Sequence, residues 1–352
     1  MKKSTRSKIN VGIVIFSAVF ILLTVFFVDG PEKILQTVEK LDVRYLVMAL
    51  LTVTLSWFFE ACALQKLVHV RTHKIRLGEA FRATTTGILF NQLTPLSSGG
   101  QPMEIYVLNQ MGIPVGLGMS AAMMLTLIYH LYIFLFGAVT IATFYAFQGA
   151  TLARVAPFLW GGYILNLVTT GVFVAIIVSE EKTLAILRKL VRLAKKIHLV
   201  KDEEKAFSKV ANEMQSFNDA FRFLRQEGLG RVLVASIYYF LALTALYIVP
   251  YWVFRSFGMH HPLHLVIMGT IAVAFVTSYI PLPGASLGAE GGFYIIFSYF
   301  FPETQGLGLV VIFWRLVTFY YPIVFGNILL TTGHRHTGKK DVSQETKEQE
   351  TE

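Results

Sequence analysis

Long apolar runs alternate with short polar connections along this chain, and the lengths of those runs predict its elements. A membrane span needs roughly 20 apolar residues. Six runs qualify: Val11 to Val28, about Arg44 to Leu67, Gly118 to Phe147, Pro157 to Val178, Val232 to Phe254 and Leu307 to Leu330. Two further apolar regions break in the middle. In the first, Phe81 to Phe90 is followed by NQLTPLSSGGQPME and a second short helix through Gln110. In the second, His264 to Ile280 and Phe293 to Phe301 flank IPLPGASLGAEGG. Hydrocarbon cannot hydrogen-bond open backbone, so a Pro/Gly break at membrane depth has to line a protein or water-filled cavity. Each broken region therefore predicts a re-entrant helical hairpin. The expected fold is an all-α polytopic membrane protein with about six transmembrane helices and two re-entrant hairpins. Eight spans, with both hairpins crossing, is the alternative, as is a surface helix in place of the first hairpin.

Composition agrees with this reading. The chain is 54% hydrophobic and only 15% charged over 352 residues, with a mean hydropathy of +0.57, which leaves no room for a large soluble catalytic domain. The lone Cys62 lies in an apolar run and excludes an internal disulfide or a multi-cysteine metal site. Nothing resembles a nucleic-acid-reading module, a Walker loop, a dinucleotide fingerprint or an H-E-x-x-H pair, so no cofactor, no metal site and no nucleic-acid partner is expected.

The net charge of +9 is concentrated in a few loops, and basic loops mark the cytoplasmic side. Lys2, Lys3, Arg6 and Lys8 precede the first run, KLVHVRTHKIR follows the second, and HRHTGKK follows the last. Both termini are thus expected in the cytoplasm, with the first run retained as a span and not cleaved as a signal peptide. Twelve Lys or Arg fall between Ser179 and Arg231. There Leu184, Leu187, Val191 and Ala194 recur at helical spacing opposite Arg188, Arg192 and Lys195, predicting a basic amphipathic helix that either lies on anionic lipid or belongs to a cytoplasmic helical pair. One transmembrane domain over 1–333 results. It has a first repeat at about 44–147, the basic segment at 179–231, a second repeat at about 232–333, and a disordered cytoplasmic tail at 334–352.

The repeat assignment comes from the two breaks. Pro95 lies nine residues before Glu104, and Pro281 lies nine before Glu290; in the spans that follow, His130 and Arg315 fall 26 and 25 residues after those glutamates. Charge placement sends the span after the first break out of the cytoplasm and the span after the second break into it, so the two units are predicted to be inverted. Interrupted helices of inverted repeats that meet near the bilayer midplane are a secondary-transporter architecture. An ionisable residue there is a site hypothesis by default.

IPLPGASLGAEGG, with WRLVTFYYPIVFG after it, resembles the closing motif of the lysylphosphatidylglycerol synthase transmembrane-region family, and LTPLSSGGQPMEIYVL resembles that family's T-P-G-x-x-G-G-E-P-x-R-x-Y-x-L element. The likeness extends over nearly the whole chain. It departs at TLIYHLYIF, where the family often has a charged cluster and this chain has only His130, and at Ile105, beside Glu104, where an arginine is frequent. The resemblance implies a lipid flippase or scramblase for an anionic or aminoacylated phospholipid such as lysylphosphatidylglycerol. It further implies a bacterial plasma membrane, a role in envelope charge and cationic-peptide resistance, and a separate lipid-modifying enzyme as partner, since the soluble aminoacyl-transfer domain of larger members is not seen here. A membrane subunit of a phosphatidylglycerol lysyltransferase system and a carrier for polyprenyl-phosphate or a small solute are the other readings. Oligomeric state is not legible.

For such a substrate Arg315 can hold a phosphodiester through two hydrogen bonds and a carboxylate can pair with a cationic headgroup, with helix N-termini adding positive dipole ends. The candidate substrate-binding residues are Glu290, Arg315, Glu104 and His130, with Gly99, Gly100, Gly284 and Gly288 letting backbone approach the headgroup and Pro281 and Pro283 breaking the helix. Alternatively, Glu290 and Arg315 pair to hold the hairpin against the last span. Glu60 is read as a snorkelling charge, and His334 and His336 as charge near headgroups.

Overall fold

The structure is a computed structural model that describes residues 39, 41–70, 73–147, 149–178, 228–277, 280, 282–302 and 304–330, with scattered positions between 184 and 222. The predicted first span, Pro281, the two terminal histidines and the tail lie outside the described residues. Every regular element described is helical: α1 (Val43–Val68), α2 (Leu77–Leu93), α3 (Gly100–Gln110), α4 (Val115–Phe147), α5 (Gly149–Val178), α6 (Leu229–Ser256), α7 (Leu263–Thr277), α8 (Gly288–Phe300) and α9 (Leu307–Leu330). Of these, α1, α4, α6 and α9 are long and apolar enough to cross a membrane. Their outer faces carry the stripes a bilayer requires: Val47, Leu51, Leu55 and Phe58 on α1, and Leu233, Ile237 and Leu241 on α6, are exposed at helical spacing. This is an all-α polytopic membrane protein.

The broken regions form two helical hairpins, with α2 packed on α3 and α7 on α8. Their legs contain 17, 11, 15 and 13 residues, or about 17 to 26 Å at 1.5 Å per residue, less than the ~30 Å hydrocarbon core. The connections between legs share one backbone path. Pro95 and Pro283 form an antiparallel bridge with each other. Each is followed by two residues in the left-handed region, Leu96 and Ser97 (φ 55° and 52°) and Gly284 and Ala285 (φ 56° and 50°). Ser98 and Ser286 each return their hydroxyl to the carbonyl of the bridge proline, at 2.9 and 2.7 Å.

The bridge joins Pro95 to Pro283, whereas the sequence intervals paired Pro95 with Pro281; from the bridged prolines, Glu104 lies nine residues on and Glu290 seven. Other boundaries also move: the stretch expected as a loop at 148–156 is helical from Gly149, and α9 widens into a π turn over Leu316–Tyr320.

Helices α1 and α6 run antiparallel in long contact, tied at both ends. The Asp42 amide donates to the Ser256 carbonyl at 2.8 Å, and Arg231 Nη1 donates to the His69 carbonyl at 2.9 Å. Arg255 reinforces the first tie by donating to Tyr45 Oη while lying over its ring. Two apolar cores flank this pair. One is built mainly from α1 to α4, with Leu64, Leu67, Leu108 and Ile128. The other centres on α6 to α9, where Phe254, Phe293, Phe297 and Trp314 pack ring on ring.

The described positions at 184–195 are helical, and Arg188, Arg192 and Lys195 pair with Glu203 and Glu204 at 3.3–3.6 Å. The basic face thus meets an acidic neighbour, as in the helical-pair reading. Exposed pairs of this kind add little stability.

Candidate functional site

Arg315 is the last residue of the regular α-helical part of α9, immediately before the π turn. Such turns change the direction in which a helix presents its side chains and recur at functional sites. The guanidinium points into the second loop. Its Nε donates to Glu290 Oε1 at 2.7 Å and its Nη2 donates to the Gly284 carbonyl at 2.8 Å. The Phe319 ring lies 4.6 Å below it and Trp314 beside it at 5.5 Å. Glu290 sits in the first turn of α8, where the helix dipole favours a carboxylate.

Both charges are buried, at 5% and 7% exposure, and Glu290 Oε2 has no hydrogen-bond partner among the described residues. An isolated charge at a helix centre costs about 3 kcal/mol on insertion scales, so the pairing is the condition for burying either group. The structure brings together three sequence candidates here: Glu290, Arg315 and Gly284. Pro283 adjoins them through the bridge to Pro95.

The loop around the pair is strained. Ala285 and Leu287 hold positive φ without being glycine, at a cost of order 1–3 kcal/mol each, and such strain concentrates where function demands a particular backbone. Gly284 has two reasons to be glycine, a φ of +56° and a Phe319 ring that a Cβ would strike. The other candidate glycines serve packing within the chain. A Cβ on Gly288 would strike Ile280, one on Gly99 would strike Thr94, and one on Gly100 would strike Asn91. The space beside these backbones is filled by this chain's own side chains.

The remaining sequence candidates lie elsewhere. His130 packs towards α5, with its Nδ1 3.0 Å from Asn166 Nδ2 and its ring edge-on to Tyr129. Glu104, on α3, faces a polar chamber of about 70 Å³ lined by α1, α2, α3, α4 and α6. Glu60 lines the same chamber, so the expected snorkelling charge points inward to a second carboxylate. Gly87 makes this possible, because a Cβ there would press on Glu104 Cβ at 3.3 Å and on the Gly100 carbonyl at 3.4 Å. Gln101 closes one side by donating to Thr126 Oγ1 at 2.7 Å. The sequence offered two signals for this chamber, an acid inside the second apolar run and a glycine in the first hairpin leg, and neither alone names the partner.

Among the described residues, four helices long and apolar enough to span a membrane accompany two broken hairpins whose loops meet beside a buried ion pair, the make-up of a polytopic membrane protein. The chain belongs to the lysylphosphatidylglycerol synthase TM region family, whose model matches residues 10–326. It is also similar to a UPF0104 membrane protein from Archaeoglobus fulgidus, 23% identical over 319 residues that cover 90% of this chain and 94% of that protein.

Proposed function

We propose that this protein is a lipid translocase, a flippase or scramblase that carries an anionic or aminoacylated phospholipid between leaflets. The observation that carries the reading is the Arg315–Glu290 pair beneath the meeting point of the two loops. An aminoacyl phospholipid headgroup needs a donor pair for its phosphate and an acceptor for an ammonium group. Arg315 offers the first once it turns from Glu290, and the unpartnered Glu290 Oε2 offers the second. The family's description supports the lipid class.

An inverted repeat supplies the mechanism. The antiparallel α1–α6 pair, the like-shaped loops and the two helical hairpins in the same chain order support that symmetry. In this reading the hairpins rock alternately and present the ion pair to one leaflet and then the other. The chain sits in a bacterial plasma membrane with both termini cytoplasmic, an orientation supported by its basic flanks.

The test is leaflet exchange in liposomes that contain purified protein and headgroup-labelled phosphatidylglycerol, lysylphosphatidylglycerol or phosphatidylethanolamine. Exchange of at least one anionic or aminoacyl lipid above protein-free liposomes is expected, with loss of that exchange in Glu290→Gln and Arg315→Lys. No exchange of any of the three lipids overturns the reading, and exchange that survives both substitutions removes the ion pair from the mechanism.

A further inference from the structure

The chamber beside Glu104 is distinct from the ion pair and unused by the translocation reading. Most of its lining residues bring side-chain oxygens. Glu60 comes from α1, Glu104 from α3, Thr84 and Asn91 from α2, Thr126 from α4 and Tyr239 from α6. Two of these groups are aimed inward with nothing to hold. Glu104 is 8% exposed and Thr84 1% exposed, and neither Glu104 Oε1 nor Thr84 Oγ1 has a hydrogen-bond partner among the described residues. The neighbouring threonines differ: Thr85 and Thr86 return their hydroxyls to the carbonyls of Phe81 and Arg82 at 2.8 Å. Thr84 alone of the three keeps its oxygen for the chamber.

Charge balance defines what is missing. Two carboxylates face one confined space between apolar helices, and no Lys, Arg or His lines it; Arg82, on α2, is outside the lining. The other titratable groups nearby are phenols, Tyr239 on α6 and Tyr129 of α4 behind it, and they bring no positive charge. Two like charges in such a space repel strongly unless a positive charge enters. A space of about 70 Å³ holds a few waters or one small ion, at ~15 Å³ or more for each water. Carboxylate, hydroxyl and amide oxygens converging on one space suit a hard cation, and Gly87, Ile88, Ala122 and Leu125 complete the lining without charge.

We infer that the Glu60–Glu104 chamber binds one monovalent cation from solution, an alkali ion or a proton, and so gives this membrane protein an ion-coupling site separate from Glu290 and Arg315. The inference does not rest on the lipid reading.

The experiment is thermal unfolding of the full-length protein in detergent, followed by tryptophan fluorescence. NaCl replaces choline chloride at constant ionic strength in one series, and pH falls from 8 to 6 in choline chloride in the other. Wild type is read against Glu60→Gln and Glu104→Gln, so that contributions from other titrating groups cancel. A ligand that binds only the folded state raises the melting temperature with its concentration. Stabilisation by sodium at pH 8 that weakens in both variants, with a midpoint displaced at least about tenfold, identifies an alkali-ion site. Stabilisation by acid alone, present in wild type and absent from both variants, identifies a proton site. If wild type and variants respond identically in both series, the inference is overturned. A Thr84→Val variant keeps the test independent of the carboxylates: it removes one ligand oxygen at nearly constant volume, and a sodium site has to weaken in it while a proton site does not.

Discussion

Pro95 and Pro283 meet backbone to backbone in an antiparallel bridge, although 188 positions separate them in the chain. Each proline is followed by two residues in the left-handed region, and Arg315 reaches the carbonyl of the residue next to the bridge, Gly284.

Replacing both prolines by cysteine tests whether the loops separate during work. Bridged residues in antiparallel pairs have Cα atoms about 4.5–5.5 Å apart, within the range a disulfide accepts. In a Cys62→Ser background, Pro95→Cys with Pro283→Cys is expected to crosslink under mild oxidation, seen as altered gel mobility after cleavage between the halves. Lipid exchange should stop on oxidation and return on reduction.

Breaking the buried pair from one side should cost more than removing it. Arg315→Met alone leaves an uncompensated carboxylate, and the expected loss is about 3–5 kcal/mol. The double variant Arg315→Met with Glu290→Gln should recover most of that loss in stability while remaining inactive. A double-mutant cycle on melting temperatures reads the coupling.

Two glycines should respond differently to rescue. Gly100→Ala puts a methyl into Asn91, and overpacking of this kind costs about 1–3 kcal/mol. Adding Asn91→Ala removes the obstruction and should restore stability. Gly284→Ala meets Phe319, but Phe319→Leu should restore it only in part, because the +56° φ penalty stays. Thermal melts of the four variants decide this.

His261, in the connection between α6 and α7, gives a stability slope with pH. Its ring stacks on Phe301 at 3.7 Å and its Nε2 lies 3.2 Å from Thr304 Oγ1. Burial, and then the neighbouring His260, hold its imidazole below the usual histidine range. The unfolded chain therefore takes up a proton first as pH falls through about 6.5, so this contribution is complete above that pH and is lost below it. His261→Phe should flatten the acid side of the melting curve. This slope is opposite in sign to stabilisation by protons at the chamber.

Much of the fold was visible in the residues because membranes impose simple lengths. The runs at α1, α4, α6 and α9 announced themselves, as did the breaks between α2 and α3 and between α7 and α8. Glu290 and Arg315 could be paired from sequence because each is an ionisable group in apolar surroundings with no nearer partner. The intervals misled for a physical reason: equal nine-residue spacings to a glutamate matched Pro95 with Pro281, whereas the backbone pairing of Pro95 with Pro283 depends on turn geometry, set by φ angles at the following residues. Glu60 and Glu104 are 44 positions apart on different helices, and only packing across Gly87 brings them to one chamber. The glycines near the breaks announced close approach without saying to what, and the answer at Gly100 is Asn91, a side chain of the same hairpin.

The ties at both ends of the α1–α6 pair carry a mechanical consequence. Sliding one helix along the other by a single turn would break the Asp42–Ser256 and Arg231–His69 bonds together. Under the proposed translocation the pair would be the fixed member, with the hairpins turning against it, and substitutions that loosen α1 from α6 are then expected to slow lipid exchange without altering which lipid is exchanged.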